Sequence, residues 1–515
     1  MAKNDKTTGI ELKLHIPPDA LPRLRSNRVL GKWLAGRPSQ GRVVSTYFDT
    51  PDLGLLHRQI AVRARKVGKR HILSVKRGPN AKTLSDGGGE WEKEVAKQAA
   101  NSRIANNRAL RKKLSDVKIA GRLKPLFVTD VNRAVWPLQI KNSSVEFAIN
   151  VGEIKSKDRR LPICEAGLEL KSGDARGVYT LARELHKSVS FDFAALSNAE
   201  RGYALAADIV PGFHKAEKLK IRRRATVGEA FSSIGRNGLM HLRANEACVR
   251  VKQDAEGIHQ IRVAVRRLRS ALSLFRDLVT DKDRQDIARR LRWIAKALAE
   301  AREWDVFQDE LLAPLQGKTS DDPSLLGFTD RVDRLRRSAD RRASETLASP
   351  RYTENVLRIG EWWDGGAWEK SATGMAAEPA TNFARKRIRK LERRLRKLGD
   401  RLEELGDADL HEFRIRAKKL RYAIGFFGDL LPTKAARAHA EALSEIQDCL
   451  GALNDSVVAR KLLARAEQQA KDIGATVFAR ASGIILGWNT AKREDGLKRL
   501  PRSWRHYANL DPFWK

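Results

Sequence analysis

Cations recur in this chain at helical spacing. His259, Arg262, Arg266 and Arg269 fall at steps of three, four and three, and His411, Arg414, Lys418 and Arg421 repeat those steps 152 residues later. At 3.6 residues per turn, such steps keep all four side chains on one face of a helix. Arg267 and Lys419 stand next to these rows at matching positions. Like charges at this spacing repel one another, so a row without carboxylates weakens an isolated helix. It becomes favourable when an anion lies along it. Arg offers planar, multidentate donors to phosphate oxygens, Lys a mobile point charge, and His a donor whose charge varies near neutral pH. A solvated basic face is the alternative for one copy, and recurrence argues against it.

A second constellation lies in the first 200 residues or so. In Ile10-Glu11-Leu12-Lys13-Leu14-His15 the charged residues alternate with apolar ones, which places Glu11, Lys13 and His15 on one face of a strand. Arg63 and Arg65 alternate with Val62 and Ala64, and Lys76 with Leu73 and Val75. Glu146 and Asn150 alternate with Val145, Phe147, Ile149 and Val151, and Glu165, Glu169 and Lys171 with Ala166, Leu168 and Leu170. A solvated sheet face explains any single strand. A sheet closed into a barrel would instead turn all these faces onto a hydrated interior. There Lys13, Arg63, Arg65, Lys76 and Lys171 would grip phosphate oxygens. Glu11, Glu146, Glu165 and Glu169 would hold a hard divalent cation such as Mg²⁺ or Mn²⁺.

The elements that must position these groups change character along the chain. Alternating runs at 10–15, 60–65, 72–76, 145–151 and 165–171 predict strands separated by Gly, Pro, Asn and Asp clusters. From about Ala225 the period becomes 3.6, with long helical segments such as Asp283–Glu310 and Asn382–Leu405. The basic stretch Lys215–Arg224 marks the transition. In the first copy Ile258, Ile261, Val265, Leu268, Leu272 and Phe275 form an apolar stripe, matched in the second by Leu410, Phe413, Ala417, Leu420, Ile424 and Phe427. The halves therefore read as a duplication. Glu303, Asp305 and Asp455 are candidates for holding the cations in place. Trp504, Tyr507, Phe513 and Trp514 near the C-terminus read as packing residues.

Composition narrows the partners. The 515 residues carry 100 Lys+Arg against 63 Asp+Glu, a formal net charge of +37, which points to a polyanion. No apolar run is long enough to span a bilayer, and the first residues lack a secretory h-region. The three cysteines are too few and too dispersed for a disulfide framework, which fits a reducing, cytoplasmic setting. No P-loop pattern occurs. Aromatic residues make up only 6%, without the interleaved stacking platform that single-strand binders use.

Two resemblances follow. The duplicated basic helices, with Leu298–Asp305 (LAEAREWD) and Leu450–Asp455 (LGALND), resemble the CHAD domain. That implies two pseudo-symmetric helical bundles whose basic helices face a positively charged pore or groove. It also implies binding of inorganic polyphosphate and association with polyphosphate granules. The matching positions are His259, Arg262, Arg266, Arg267, Arg269, His411, Arg414, Lys418, Lys419 and Arg421. Glu11-x-Lys13, Tyr47-Phe48-Asp49-Thr50-Pro51, Arg63-x-Arg65, Lys76, Arg133 and Glu165…Glu169-Leu170-Lys171 resemble the CYTH, or triphosphate tunnel metalloenzyme, family. That implies an eight-stranded antiparallel barrel that hydrolyses triphosphates with a divalent metal, with Glu11, Lys13 and Glu169 in catalytic positions. Three carboxylates of the family pattern are replaced, by Gly9, Asn150 and Gly167. Glu90 and Glu92 are additional metal candidates, with no anchor in the preceding Gly87–Gly89.

The expected fold is α+β in two domains. Residues 8–205 form an antiparallel tunnel with flanking helices, 206–224 a basic linker, and 225–515 an all-α domain of two pseudo-repeats at about 225–345 and 380–500. The expected function is binding of inorganic polyphosphate, with a tunnel that takes triphosphate or polyphosphate and whose hydrolytic activity is impaired by the missing carboxylates. An active metal-dependent inorganic triphosphatase is the alternative, and nonspecific nucleic-acid binding a further one. A membrane partner is not expected.

Overall fold

A computed structural model of the chain describes residues 10–58, 60–77, 90–96, 110, 114, 121–279, 282–316, 322–469 and 475–514. Gly9, Gly87–Gly89 and the side chain of Glu90 lie outside the described residues. The chain forms two compact units. One takes in the chain up to His214 together with Arg243–Lys252 and Leu347–Ala367; the other holds Lys215–Leu242, Gln253–Thr346 and Trp368–Lys515. Among the described residues no helix is long and apolar enough to cross a membrane.

The first unit is built on one antiparallel sheet. Its strands are β1 (Glu11–His15), β2 (Ser39–Asp49), β3 (Ile60–Val67), β4 (Arg70–Arg77), β5 (Glu90–Val95), β6 (Lys124–Ile140), β7 (Ser143–Ser156), β8 (Arg159–Ser172) and β9 (Asp192–Phe193). They are ordered β5-β4-β3-β2-β6-β7-β8-β1-β9. Among the described residues nine strands stand where eight were expected, because the two-residue β9 adds to the edge beside β1. β6 carries two prolines, which argue against a long strand in sequence. Pro125 sits opposite Phe48 where the register shifts, and Pro137 lies beyond Val135, where pairing with β2 ends. Neither ring interrupts a regular ladder.

Strand alternation sorts the two faces. Leu12 and Leu14 of β1, Phe147 and Ile149 of β7, and Ala166 and Leu168 of β8 are buried on the outer face. The helix Arg176–His186 covers this face with Val178, Leu181, Ala182 and Leu185. Each of the valine and leucine side chains contributes about 1.5–3 kcal/mol by burial. Phe48, Val62, Leu73 and Val75 form a second outer cluster with Leu55, Leu110, Leu114 and Leu123. The helix Pro350–Trp363, from the stretch between the two repeats, joins this unit by packing on Arg176–His186. Tyr179 donates to Asp364 at 2.9 Å and Arg183 pairs with Glu361.

The inner face is polar along its middle and apolar at one end. Tyr47, Phe127, Val131, Ile154 and Ile163 share the parity of the charged positions, and they cluster with Tyr203 of the helix Asn198–Ala207. Tyr47 and Phe127 stack at 4.5 Å. That helix therefore stoppers the polar face.

The second unit is helical. Asp254 caps the helix Ala255–Leu274 by accepting from the Gly257 amide at 3.0 Å. Asp407 and Asp409 supply negative charge to the first turn of the helix Asp407–Phe427. Phe231, Phe275, Phe383 and Phe427 pair off at the repeat interval of 152 and meet at the centre of the unit. Phe275 lies 4.8 Å from Phe383 and 5.9 Å from Phe427, so the two copies share one core. Trp504, Tyr507, Phe513 and Trp514 are buried, with His439 against the last two rings.

Candidate functional site

Strand register sets the charged face of the sheet unit. Glu11 of β1 stands opposite Glu169 of β8, which stands opposite Glu146 of β7, so three carboxylates form a single cross-strand row. The next row is Lys13, Gly167 and Ala148, and the one after it His15, Glu165 and Asn150. The sheet curls enough for distant strands to share this space. Burial would raise the Glu11 pKa, but Lys13, Lys76 of β4 and Arg133 of β6 outweigh it and hold the carboxyl below its usual range. Lys13 is raised by Glu11 against the cost of burial, with Glu165 assisting and Arg63 opposing. Glu11 and Lys13 keep 41% and 38% of their side-chain surface open while lying deep among other groups. That combination describes the wall of a water-filled lumen.

The carboxylates in this lumen are engaged. Arg133 donates to Glu146 at 2.8 Å and to Asn150 at 3.2 Å. Lys171 lies 2.9 Å from Glu169 and 3.5 Å from Glu146, and Lys13 lies 3.6 Å from Glu11. Glu165 is buried and accepts from Asn150 at 3.0 Å and Asn198 at 2.7 Å. Arg63 donates to Ser74 at 2.8 Å and lies 3.6 Å from Glu92. Arg65 follows on the same face, opposite Ser45 and Ile72. The lumen thus gathers all the cations expected from sequence, along with Glu11, Glu146, Glu165 and Glu169.

A divalent metal fits this donor set poorly. A hard cation needs about six oxygen ligands converging on one point. Here each carboxylate is turned to a Lys, Arg or Asn, and among the described residues no three His, Cys, Asp or Glu groups are placed to share a metal. A Cβ built on Gly167 meets only Glu11 Oε1, at 3.9 Å, so the place of the missing carboxylate is open space. No chemistry is therefore routed through a metal here.

Some sequence signals prove structural. Asp49 accepts from the amides of Thr50, Leu55 and Leu56 at 2.7–3.0 Å and from the Tyr203 hydroxyl at 3.0 Å, so the Asp49-Thr50-Pro51 motif builds a turn. Burial, then Asp49, raises the Tyr203 pKa far above normal. A concavity of about 740 Å³ lies on the opposite face of β6–β8, where Arg42 and Asp130 pair at 2.7 Å and Lys155 and Glu153 at 2.9 Å. Its three cations, Arg42, Lys155 and Arg160, are all paired with Asp130 or Glu153, and the predicted residues are not in it. Asn198 was not legible as a site residue, because it comes from a helix remote from the strands.

In the helical unit the two predicted rows meet. Arg266 lies 5.9 Å from the Tyr422 ring and Arg421 5.5 Å from it, so cations from both helices share one ring. Burial first, then Arg414, Arg266 and Arg421, press the Lys418 pKa down to about 8, and Asp455 resists. Arg414 is lowered by burial and by Arg266, again opposed by Asp455. Arg262 donates to the Ala295 carbonyl at 2.6 Å, and burial followed by Arg266 lowers its pKa, against Glu303. His259 is lowered by burial and then by Arg302, a cation of the LAEAREWD motif that sequence reasoning passed over for its acids.

Other members of the rows point elsewhere. Arg269 is lowered by burial and by Arg292. Arg267 donates to Asn237 at 2.8 Å and lies 5.9 Å from the Phe426 ring, while Lys419 lines a separate cavity. His411 is exposed near the start of its helix. Glu303 pairs with Lys461 at 3.0 Å. Asp305 is buried, 3.8 Å from Arg336, its pKa pushed to about 7 by burial and Asp340.

Comparison with known proteins agrees with this division. The CYTH domain model matches residues 8–203 and the CHAD domain model residues 233–464. Over 199 residues the chain is 28% identical to an inorganic triphosphatase of Haemophilus influenzae, covering 38% of this chain and 55% of that protein. The chain thus spans about half the length of that curated relative. The crystal structure of the CHAD domain from the plant Ricinus communis is 31% identical, with a TM-score of 0.51, covering 57% of this chain and 96% of that one. The chain accordingly carries a CYTH domain followed by a CHAD domain, and it belongs to the CHAD family.

Proposed function

We propose that this protein binds linear phosphate chains at two places. The helical unit holds inorganic polyphosphate along the cation rows, and the tunnel takes triphosphate or the end of a longer chain. The observation that carries the reading is the shared space of Arg266, Arg414, Lys418 and Arg421, drawn from two helices. Crowded, partly desolvated charges of one sign are costly, and a polyanion converts that cost into attraction. In the tunnel, Lys13, Arg63, Arg65, Lys76, Arg133 and Lys171 offer cations from five strands. An entering phosphate would replace Glu146 as the partner of Arg133 and Lys171, exchanging one charge-assisted bond for another.

CYTH triphosphatases depend on a divalent metal, and the similarity to an inorganic triphosphatase supports hydrolysis as the second reading. The engaged carboxylates and the open place at Gly167 favour slow or absent turnover. Two measurements separate these readings. Long-chain polyphosphate should bind the His259→Ala/Arg262→Glu/Arg414→Glu variant at least tenfold more weakly than the wild type; an unchanged affinity removes the rows from the site. Phosphate release from tripolyphosphate with Mg²⁺ or Mn²⁺ should be weak, and robust turnover abolished by Glu169→Ala would establish the triphosphatase instead. DNA that resists displacement by polyphosphate at equal phosphate concentration would favour nucleic acid.

A further inference from the structure

The helical unit has a second concentration of positive charge, bordering the end of the rows. A cavity of about 140 Å³ opens between three helices. Arg276 stands just beyond the helix Ala255–Leu274, Lys419 belongs to Asp407–Phe427, and Arg387, Lys390 and Arg394 come from the helix Ala380–Gly399. These five cations line it together with the hydroxyls of Ser270 and Ser273, and no carboxylate does. The rings of Tyr422 and Phe426, near parallel at 27°, form the apolar wall. Tyr422 separates this cavity from Arg266 and Arg421 of the rows.

Three observations set these cations apart from an ordinary solvated face. Arg387 is fixed: it donates to Asp277 at 2.5 Å, lies 5.0 Å from the Phe383 ring, and is only 12% exposed. The internal repeat does not require three of them, since the residues 152 positions before Arg387, Lys390 and Arg394 are Gly235, Gly238 and Leu242. Asp277 is shared between Arg387 and Arg276, and among the described residues no carboxylate lines the cavity, which leaves a surplus of positive charge. The volume corresponds to roughly five water molecules. That is room for one or two phosphoryl groups.

We propose that this cavity binds a compact phosphate anion, either free diphosphate or the terminal phosphoryl groups of a chain. Arg387 and Arg394 present planar donors, Lys390 and Lys419 mobile charges, and the serines neutral donors. The proposal stands apart from the readings of the rows and the tunnel, and it survives if either fails.

The test is calorimetric titration of sodium diphosphate into the full chain carrying Arg63→Ala/Arg65→Ala, which weakens the tunnel. In a second chain that also carries Arg266→Glu/Arg414→Glu, the row variant, adding Lys390→Glu/Arg394→Glu should reduce affinity at least tenfold, whereas adding the exposed pair Lys434→Glu/Arg437→Glu should change it less than twofold. An unchanged affinity with the first pair, or an equal loss with the exposed pair, overturns the proposal. If the double substitution alters the circular dichroism melt, the single exposed change Lys419→Glu should reproduce the loss, and its failure to do so is equally decisive. In the row variant, displacement of diphosphate by long-chain polyphosphate identifies a chain end as the ligand. Absence of displacement identifies the free anion, and both results uphold the pocket.

Discussion

If the rows hold polyphosphate as proposed, Lys418 should make that binding depend on pH. Its pKa lies at about 8 because burial, Arg414, Arg266 and Arg421 all oppose its charge, with Asp455 the acid resisting them. The side chain is then about nine-tenths charged at pH 7 and about one-tenth charged at pH 9. A polyanion that requires the charged form should bind roughly tenfold more weakly at pH 9 than at pH 7, and should draw a proton onto the protein as it binds. The internal charges of polyphosphate do not titrate over this range, and burial and Arg302 lower the His259 pKa, away from it. Stability moves in the opposite direction. A lysine whose folded pKa falls below its unfolded value burdens the fold while charged, by at most about 3 kcal/mol given its partial exposure, and the burden lifts as pH rises from 8 toward 10.5. The assay is calorimetric affinity for long-chain polyphosphate at pH 7, 8 and 9 and constant ionic strength, since salt alone shifts polyanion affinity. Lys418→Arg, which stays charged throughout, should flatten the profile and bind about tenfold tighter than wild type at pH 9. A wild-type profile already flat, or an arginine variant with the wild-type slope, refutes the reasoning.

Two further outcomes test the sheet unit. Gly167→Glu puts a carboxylate into open space beside Glu11 and should tighten Mn²⁺ binding severalfold, read by electron paramagnetic resonance of free Mn²⁺; an unaltered affinity would mean that Gly167 is not the missing ligand position. Gly360→Ala adds a methyl that runs into the Tyr179 ring, which its bond to Asp364 holds in place, so it should destabilise the sheet unit by about 1–3 kcal/mol in denaturant titration, although alanine ordinarily favours a helix by about 1 kcal/mol; a stabilised variant would show that the two helices do not pack as described.

Much of the fold was legible because it depends on short-range pattern. The alternation in Ile10–His15 and Val145–Val151 assigned Glu11, Lys13, Glu146 and Asn150 to one face, and the structure keeps them there. β2 and β6 escaped notice. β2 opens on the exposed residues Ser39–Arg42, and β6 carries Pro125 and Pro137, whose rings fall at a register shift and past the end of pairing. The cation rows were readable from their spacing, but Arg267 and Lys419, neighbours of row members in sequence, lie about 100° around the helix and serve other surroundings.

Sequence alone determined the order of the chain's two characters, strands before helices. It also determined the duplication and the parity of each charged residue, because periods of 2 and 3.6 are properties of the backbone itself. Tertiary structure decided which charges face one another. Glu146 meets Arg133 and Lys171, Asn198 reaches Glu165, Arg266 and Arg421 share Tyr422, and the segment Leu347–Ala367 joins the sheet unit. Those encounters join residues far apart in the chain, through register, sheet curl and helix packing, and no local period encodes them.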